Sequence, residues 1–324
     1  MMSKQKVWTR AKLLIALGAA FLATPVWAAN QARPGSVNYV EGRVMIDGQS
    51  LNGQSIGSAE VQTGQVLETE QGKAEMLLTP GVFMRLGDHS RLRMISPGLT
   101  DTRVELLQGR AMLEVTELMK ENNIRVREAG ATISIQKAGL YEFDADWPGV
   151  RVYEGKALVT RDDLHVELGK GRETALAGKL RVQKFDRKRE DDLYAWSNVR
   201  SESLAEASMA SVRTYFVNGG WYGPGWWYGA GWYWNPWYGM YSFIPGGGIL
   251  YSPFGWGFYS PGYIAYAPAF VGRFGYGYHG RRYWGHRYVT PPVMRPSVPR
   301  GFSGGARGFG GFHGGAGGFH GGRR

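Results

Sequence analysis

Between residues 42 and 157 a Gly-basic-small step recurs four times inside apolar runs: Gly42-Arg43-Val44, Gly72-Lys73-Ala74, Gly109-Arg110-Ala111 and Gly155-Lys156-Ala157. Each copy is entered by Glu or Gln and left by alternating apolar residues, as in Gln108 before Ala111, Leu113 and Val115. Such a segment is a turn feeding a half-buried strand. The copies are 30, 37 and 46 residues apart, which favours stacked β-rungs with loops of variable length over a strict solenoid repeat. Glycine supplies a positive φ at little steric cost, and the small residue after it lets neighbouring backbone approach. Gly42, Gly72, Gly109 and Gly155, with Gly81 and Gly139, are therefore expected as structural turn glycines.

Residues 36–185 read almost entirely as strand. Ala74, Met76 and Leu78 alternate up to Pro80-Gly81, a dipeptide suited to a type II turn, and Met84 and Leu86 resume the pattern beyond it. Further runs lie at 104–107, 111–115, 133–135, 141–143, 150–159 and 164–168. The expected class is all-β, short antiparallel strands stacked as a β-sandwich or in solenoid-like fashion; short alternating strands suit both packings.

The flanks differ in character. Lys4, Lys6, Arg10 and Lys12, then the apolar Leu13 to Ala23 and the small-residue step Val26-Trp27-Ala28, have the order of an export signal over residues 1–28. The apolar run is 11 residues, short of the roughly 20 that span a bilayer, so cleavage before Ala29 is expected over an inner-membrane anchor through residues 13–29. The chain has no cysteine, which excludes disulfides, thiolate metal sites and a lipoprotein anchor. Residues 186–214 read as a helical linker: a charged start, then Leu193, Trp196, Val199 or Arg200, and Leu204 near a 3–4 spacing. That narrow stripe either docks a partner, or else packs back on the β domain or simply spaces it from the tail.

Charge divides the chain as sharply. Residues 29–206 carry 24 Lys and Arg against 27 carboxylates, whereas no acidic residue follows Glu206 and ten arginines do. From 215 to 324 Gly and Pro alternate with aromatic residues and no period of 3.6 or 2 persists, the composition of a low-complexity, disordered but adhesive tail. Its candidate adhesive contacts are Trp221, Trp226, Trp227, Trp232, Trp234 and Trp237, with Arg281, Arg282 and Arg287. Rings between flexible joints can lie on sugars or at a membrane headgroup layer, and arginine adds cation–π pairing and attraction to anions.

The residues that carry a family resemblance are Gly64-Gln65-Val66-Leu67-Glu68-Thr69-Glu70-Gln71-Gly72-Lys73-Ala74, then Pro80-Gly81 and Arg85-Leu86-Gly87-Asp88-His89-Ser90-Arg91-Leu92. Val104 to Ala111, Gly139 to Phe143 and Val150 to Lys156 follow in order. This pattern, over residues 37–160, resembles the FecR domain of bacterial envelope proteins. Gly139-Leu140 departs from the Gly-Thr frequent there, a change a β-turn absorbs. The resemblance implies a periplasmic β domain that senses another envelope component. Only about a dozen residues precede the apolar run, so the sigma-regulating cytoplasmic segment of the best-known members is not expected here.

Catalytic, metal and cofactor signatures are not apparent. Asp88-His89-Ser90 is adjacent in sequence, whereas a triad meets in space. His279, His286, His313 and His320 come without thiolates or carboxylates to complete a metal site. Asp144, Asp146, Asp162 and Asp163 fall where strands turn. The expected function is non-enzymatic: an exported FecR-like module, periplasmic or surface-bound, that binds an envelope protein or glycan. Anionic envelope polymers or a membrane surface are further partners for its tail, and nucleic acid is not expected. The alternative is a structural or adhesive protein whose tail is the working part.

Overall fold

The structure, a computed structural model, describes residues 32–188, 190–217 and 230–267. All of these belong to the first of two units, 1–277 and 278–324. The expected export signal, residues 268–324, Trp221, Trp226, Trp227, Arg281, Arg282 and Arg287 lie outside the described residues. Among the described residues no helix is long and apolar enough to cross a membrane.

Alternating sequence becomes a single sheet of 15 strands. In chain order these are β1 (Val37–Ile46), β2 (Gln49–Leu51), β3 (Val66–Leu77), β4 (Val82–Leu86), β5 (Arg91–Pro97), β6 (Thr102–Gln108), β7 (Arg110–Val115) and β8 (Ile124–Glu128). They continue as β9 (Ala131–Ile135), β10 (Gly139–Asp144), β11 (Gly149–Glu154), β12 (Lys156–Arg161), β13 (Leu164–Gly169), β14 (Arg172–Ala175) and β15 (Gln183–Lys184). Neighbours run β13-β12-β9-β8-β6-β5-β3-β4-β7-β10-β11-β14-β15, with β1 on β3 and β2 on β1. Every pairing is antiparallel except that of β6 with β8.

The sheet folds back on itself along β3. The last residues of β3 pair with β4, and its first, Val66 to Glu68, pair with β5. One layer is then β4, β7, β10, β11, β14 and β15, and the other β5, β6, β8, β9, β12 and β13. Met84, Leu113, Phe143 and Val152 from the first meet Leu92, Val104, Val126 and Val159 from the second in one apolar core. The outer face of the second layer carries Arg91, Arg93, Glu105 and Arg127 toward solvent, whereas β4 is buried at every residue. Its inner side meets the core, and its outer side lies under the C-terminal segment.

The repeated glycines mark passages between the layers. Residues 39–41 of β1 pair with 73–75 of β3, and residues 44–46 pair with 67–69, with a bulge at Gly42 to Val44. Gly42 has φ +68°, and a Cβ there would lie 2.1 Å from Gln71 O and 2.8 Å from Gly72 Cα. The two strands cross from one layer to the other at this pair, and only hydrogens fit between them. Gly109 joins β6 to β7 and Gly155 joins β11 to β12, both between layers and both at positive φ. Gly81, also at positive φ, turns β3 into β4. Gly72 and Gly139 correct the expectation of six turn glycines, for neither has a positive φ. Gly139 is needed for contact, a Cβ there lying 2.1 Å from Glu154 O.

Helix α1 is Asp192–Val217, later than the expected 186–214. Asp191 sets its start, the carboxylate accepting from Tyr194 N at 2.8 Å. The greater difference lies in residues 230–267, which are not the structureless tail their composition suggests. They form β16 (Gly231–Asn235) and β17 (Met240–Ile244), a second hairpin of β18 (Ile249–Tyr251) and β19 (Gly257–Tyr259), and a 3-10 turn at Pro261–Tyr266. Gly and Pro raise the entropy of ordering, but the segment buries Tyr241, Phe243 and Phe258 against Leu77, Phe83 and Leu204, a gain that composition alone does not register.

Gly42→Ala and Gly48→Ala separate close approach from backbone strain, since both glycines have positive φ but a Cβ at Gly48 meets nothing within 4 Å. Urea unfolding should cost Gly48→Ala about 1–2 kcal/mol, the left-handed penalty, and Gly42→Ala more than ~3 kcal/mol because the crossing must open as well. Equal costs would remove the crossing from the explanation.

Candidate functional site: a layer pinned over one face

Three strands place charges side by side on the outer face of the first layer. Glu75 is the register partner of Arg85, and β7 brings Glu114 beside them. Arg85 Nε donates to Glu75 Oε2 at 2.9 Å and Nη1 to Glu114 Oε2 at 2.6 Å, with all three side chains fully buried. From α1, Arg200 Nη2 reaches Glu75 Oε1 at 3.0 Å while its guanidinium lies 4.0 Å from the centre of the Tyr39 ring. Ser201 Oγ donates to Glu114 Oε1 at 2.8 Å. Asn38 completes the set: Nδ2 donates to Glu75 Oε1 at 3.0 Å and to Tyr241 O at 3.1 Å, and Oδ1 accepts from Tyr241 N at 2.7 Å.

Burial pushes the Glu75 carboxyl up, but the charges of Arg200 and Arg85 outweigh it and hold the group below its ordinary value. The stabilisation is thus present above the ordinary carboxylate range and is lost as pH falls through the lowered value. Arg85 stays charged for the converse reason, burial being outweighed by Glu114 and Glu75.

A second cluster fixes the start of the helix. Arg110 pairs with Asp191 and, at 2.8 Å, with Asp192, and Lys73 reaches Asp88 at 2.8 Å and Asp192 at 3.6 Å. The basic residue after each repeated glycine is therefore an anchor, as in Arg43 with Glu70 at 2.6 Å and Lys156 with Glu167 at 2.6 Å. Leu193 packs on Met112, Leu140 and Tyr153, and Trp196 Nε1 donates to Glu41 Oε2 at 2.9 Å. Of the two readings of the helix, packing back on the β domain is the one observed.

The first hairpin lies against both α1 and the sheet. Trp232 and Trp234 are half-buried, which corrects their reading as adhesive contacts. Trp232 meets Phe83 edge-on at 5.0 Å, and Trp234 meets Tyr241 at 5.1 Å. Ser208 Oγ donates to Phe243 O at 2.6 Å, and Asn235 Nδ2 donates to Ala207 O at 3.0 Å. Asn235 Oδ1 accepts from Trp237 N at 3.0 Å and Tyr238 N at 3.2 Å, which sets the turn between the strands. Trp237 is 75% exposed there, and Tyr238, Tyr251, Tyr263 and Tyr266 are also exposed. Of the candidate tryptophans within the described residues, Trp237 alone faces solvent.

The trio Asp88, His89 and Ser90 is a layer crossing. Asp88 is held by Lys73, His89 is exposed at φ +52°, and Ser90 Oγ donates to Arg110 O at 3.1 Å and accepts from Arg110 N at 2.9 Å. Asp144 Oδ1 accepts from the N–H of Asp146 and Trp147, and Asp162 sits in a turn at φ +53°. Among the described residues no three His, Asp or Glu side chains are grouped to hold a metal. Glu128 is shifted the other way from Glu75: burial pushes it up to about 8, against the N–H that Gly149 donates to Oε1 at 2.9 Å, and Asp144 adds to the rise.

No family model and no curated protein matches the chain. Among solved structures, two crystal structures of a candidate anti-sigma factor from Parabacteroides distasonis are similar to it at 17% identity, with a TM-score of 0.35, over 41% of this chain and 64% of that one. The chain thus spans less than two thirds of that protein.

Arg200→Ala should cost about 3–5 kcal/mol in urea unfolding because it leaves Glu75 buried with one partner fewer. Arg93→Ala, which breaks the half-exposed pair with Glu105 at 3.0 Å, should cost under ~1 kcal/mol. Similar costs would mean that the central network is solvated. For Glu128 the folded value lies above the unfolded one, so its contribution is present at low pH and is lost between about 4.5 and about 8. Stability should decline across that window with a slope of up to ~1.4 kcal/mol per pH unit from this group, and Glu128→Gln should flatten it. An unchanged slope in the variant would place the titration elsewhere.

Proposed function

We propose that this chain is a non-enzymatic, FecR-like binding module of the cell envelope, exported to the periplasm or surface. Its fixed aromatic residues engage an envelope protein or glycan. The observation that carries the reading is the exposure of Trp237, Tyr238, Tyr251, Tyr263 and Tyr266 on a layer that the buried Arg200–Glu75 pair and the Asn38–Tyr241 hydrogen bonds lock to the sheet. Rings held by rigid backbone give a large amphipathic contact at little entropic cost. The residue pattern over 37–160 supports the family, and an all-β scaffold suits a module that presents a surface. The charged groups favour binding over catalysis, since Glu75, Arg85, Glu114 and Arg110 are engaged with one another or with the helix.

Trp237→Ala combined with Tyr251→Ala and Tyr266→Ala tests the reading. Association of the full chain with isolated envelope fractions should weaken at least about tenfold, ~1.4 kcal/mol, while the melting temperature stays near that of the parent. Association that survives these changes but disappears on removal of residues 268–324 would favour the alternative, in which the tail is the working part.

A further inference from the structure

The β domain is acidic apart from one segment. Residues 170–188 hold seven Lys and Arg against two carboxylates, whereas the rest of 29–206 holds 17 against 25. The strip begins at the end of β13, runs through β14 and ends after β15. Lys170, Lys179, Arg181, Lys184, Arg187 and Lys188 are exposed along it, and Arg172 is half-buried.

Most cations elsewhere are compensated, Arg33, Lys120, Arg127 and Lys137 being exceptions among the described residues, whereas most of those in the strip are not. Arg43, Lys73, Arg93, Arg110 and Lys156 each meet a carboxylate. In the strip, Lys170 pairs with Glu154 at 3.2 Å and Arg187 Nη1 reaches Tyr153 O at 3.4 Å. Arg172, Lys179, Arg181, Lys184 and Lys188 form no ion pair among the described residues. Glu173 does not compensate them, since its carboxylate takes Arg151 Nε at 2.8 Å and Gln183 Nε2 at 2.9 Å.

The register sharpens the point. Arg172 and Lys184 are direct partners across β14 and β15, and like charges so placed oppose the pairing that holds them. The pairing survives because its surroundings fix it. Phe185 packs edge-on against Tyr153 at 5.0 Å, Arg181 N donates to Thr174 Oγ1 at 3.1 Å, and the Arg161 guanidinium bridges Leu176 O and Gly178 O. Two cations are thus held at partner positions on neighbouring strands, neither of them in an ion pair.

We propose that residues 170–188 are a docking strip for an anionic polysaccharide, with a carboxylate or phosphate of the polymer lying between Arg172 and Lys184. Guanidinium and ammonium groups on cross-strand partners suit oxyanions carried along a chain. A bilayer is a poorer occupant: within the strip Val182 is the exposed large apolar side chain and Phe185 is turned onto Tyr153, so the strip offers little to a headgroup layer. Within 170–188 no ring is exposed, and Trp147, 84% exposed beside the end of β14, offers a single stacking surface that a sugar face can also use.

The test uses the full chain and fluorescein-labelled polygalacturonate, followed by anisotropy over a sodium chloride series. Arg172→Gln with Lys184→Gln should weaken binding at least fivefold and flatten its salt dependence. Lys120→Gln with Lys137→Gln, which removes equal charge from exposed positions elsewhere, should change binding less than twofold. Without polymer, the Arg172/Lys184 double variant should melt no lower than the parent, because repulsion is relieved. Equal losses in both double variants, or a lower melting temperature in the first, would overturn the proposal. So would displacement of the polymer by a DNA oligonucleotide of equal charge at equal concentration, since the strip would then discriminate no glycan.

Discussion

The buried contact of Glu75, Arg85, Glu114 and Arg200 governs what the rest of the molecule can be. Between the two layers the sheet is held by apolar side chains, and such a core gains from closing in any orientation that excludes water. On the outer face of the first layer four charges are buried together, and they are tolerated only in the arrangement that pairs each. Helix and hairpin are therefore fixed in register as well as in place. Arg200 has to reach Glu75, and Asn38 has to reach both Glu75 and the backbone of Tyr241. A layer locked in this way can hold aromatic rings toward solvent without their collapsing onto the nearest apolar surface.

The repeated glycines explain how the inner sheet supports that layer. At Gly42, Gly72, Gly109 and Gly155 the chain passes between layers, and the basic residue that follows is left at the rim. Lys73 and Arg110 are two of these, and they receive the acidic start of the helix. One short motif thus serves twice, its glycine admitting the crossing and its cation recruiting the segment that covers the sheet. The strip at 170–188 stands apart because its cations, Lys170 excepted, meet no carboxylate, and it retains its charge toward solvent.

Much of this was legible in order of residues. Alternation placed strands where Ala74, Met76, Val104 and Val159 now line the core, and the Gly-basic-small steps marked the crossings, although as turns. The helix was legible only as a narrow stripe, because Ser197, Ser201, Ser208 and Arg200 are buried in it and periodicity counts them as polar. The aromatic hairpins were not legible. Their Gly and Pro content has the composition of disorder, and the surface that repays their ordering, Phe83 and Leu77 among others, lies some 150 residues away along the chain. Trp232, Trp234 and Trp237 look alike in sequence, and only packing separates two that face the sheet from one that faces solvent.

The sequence by itself determined an all-β body, the places where its strands cross and the segregation of charge, because alternation, glycine geometry and composition are local properties that do not depend on distant partners. The tertiary structure alone decided that a glycine-rich aromatic segment is a layer, that four buried charges hold it, and that Arg172 faces Lys184. Those outcomes depend on which distant groups meet out of water, where an ion pair or a ring contact is worth most and an unmatched charge costs most.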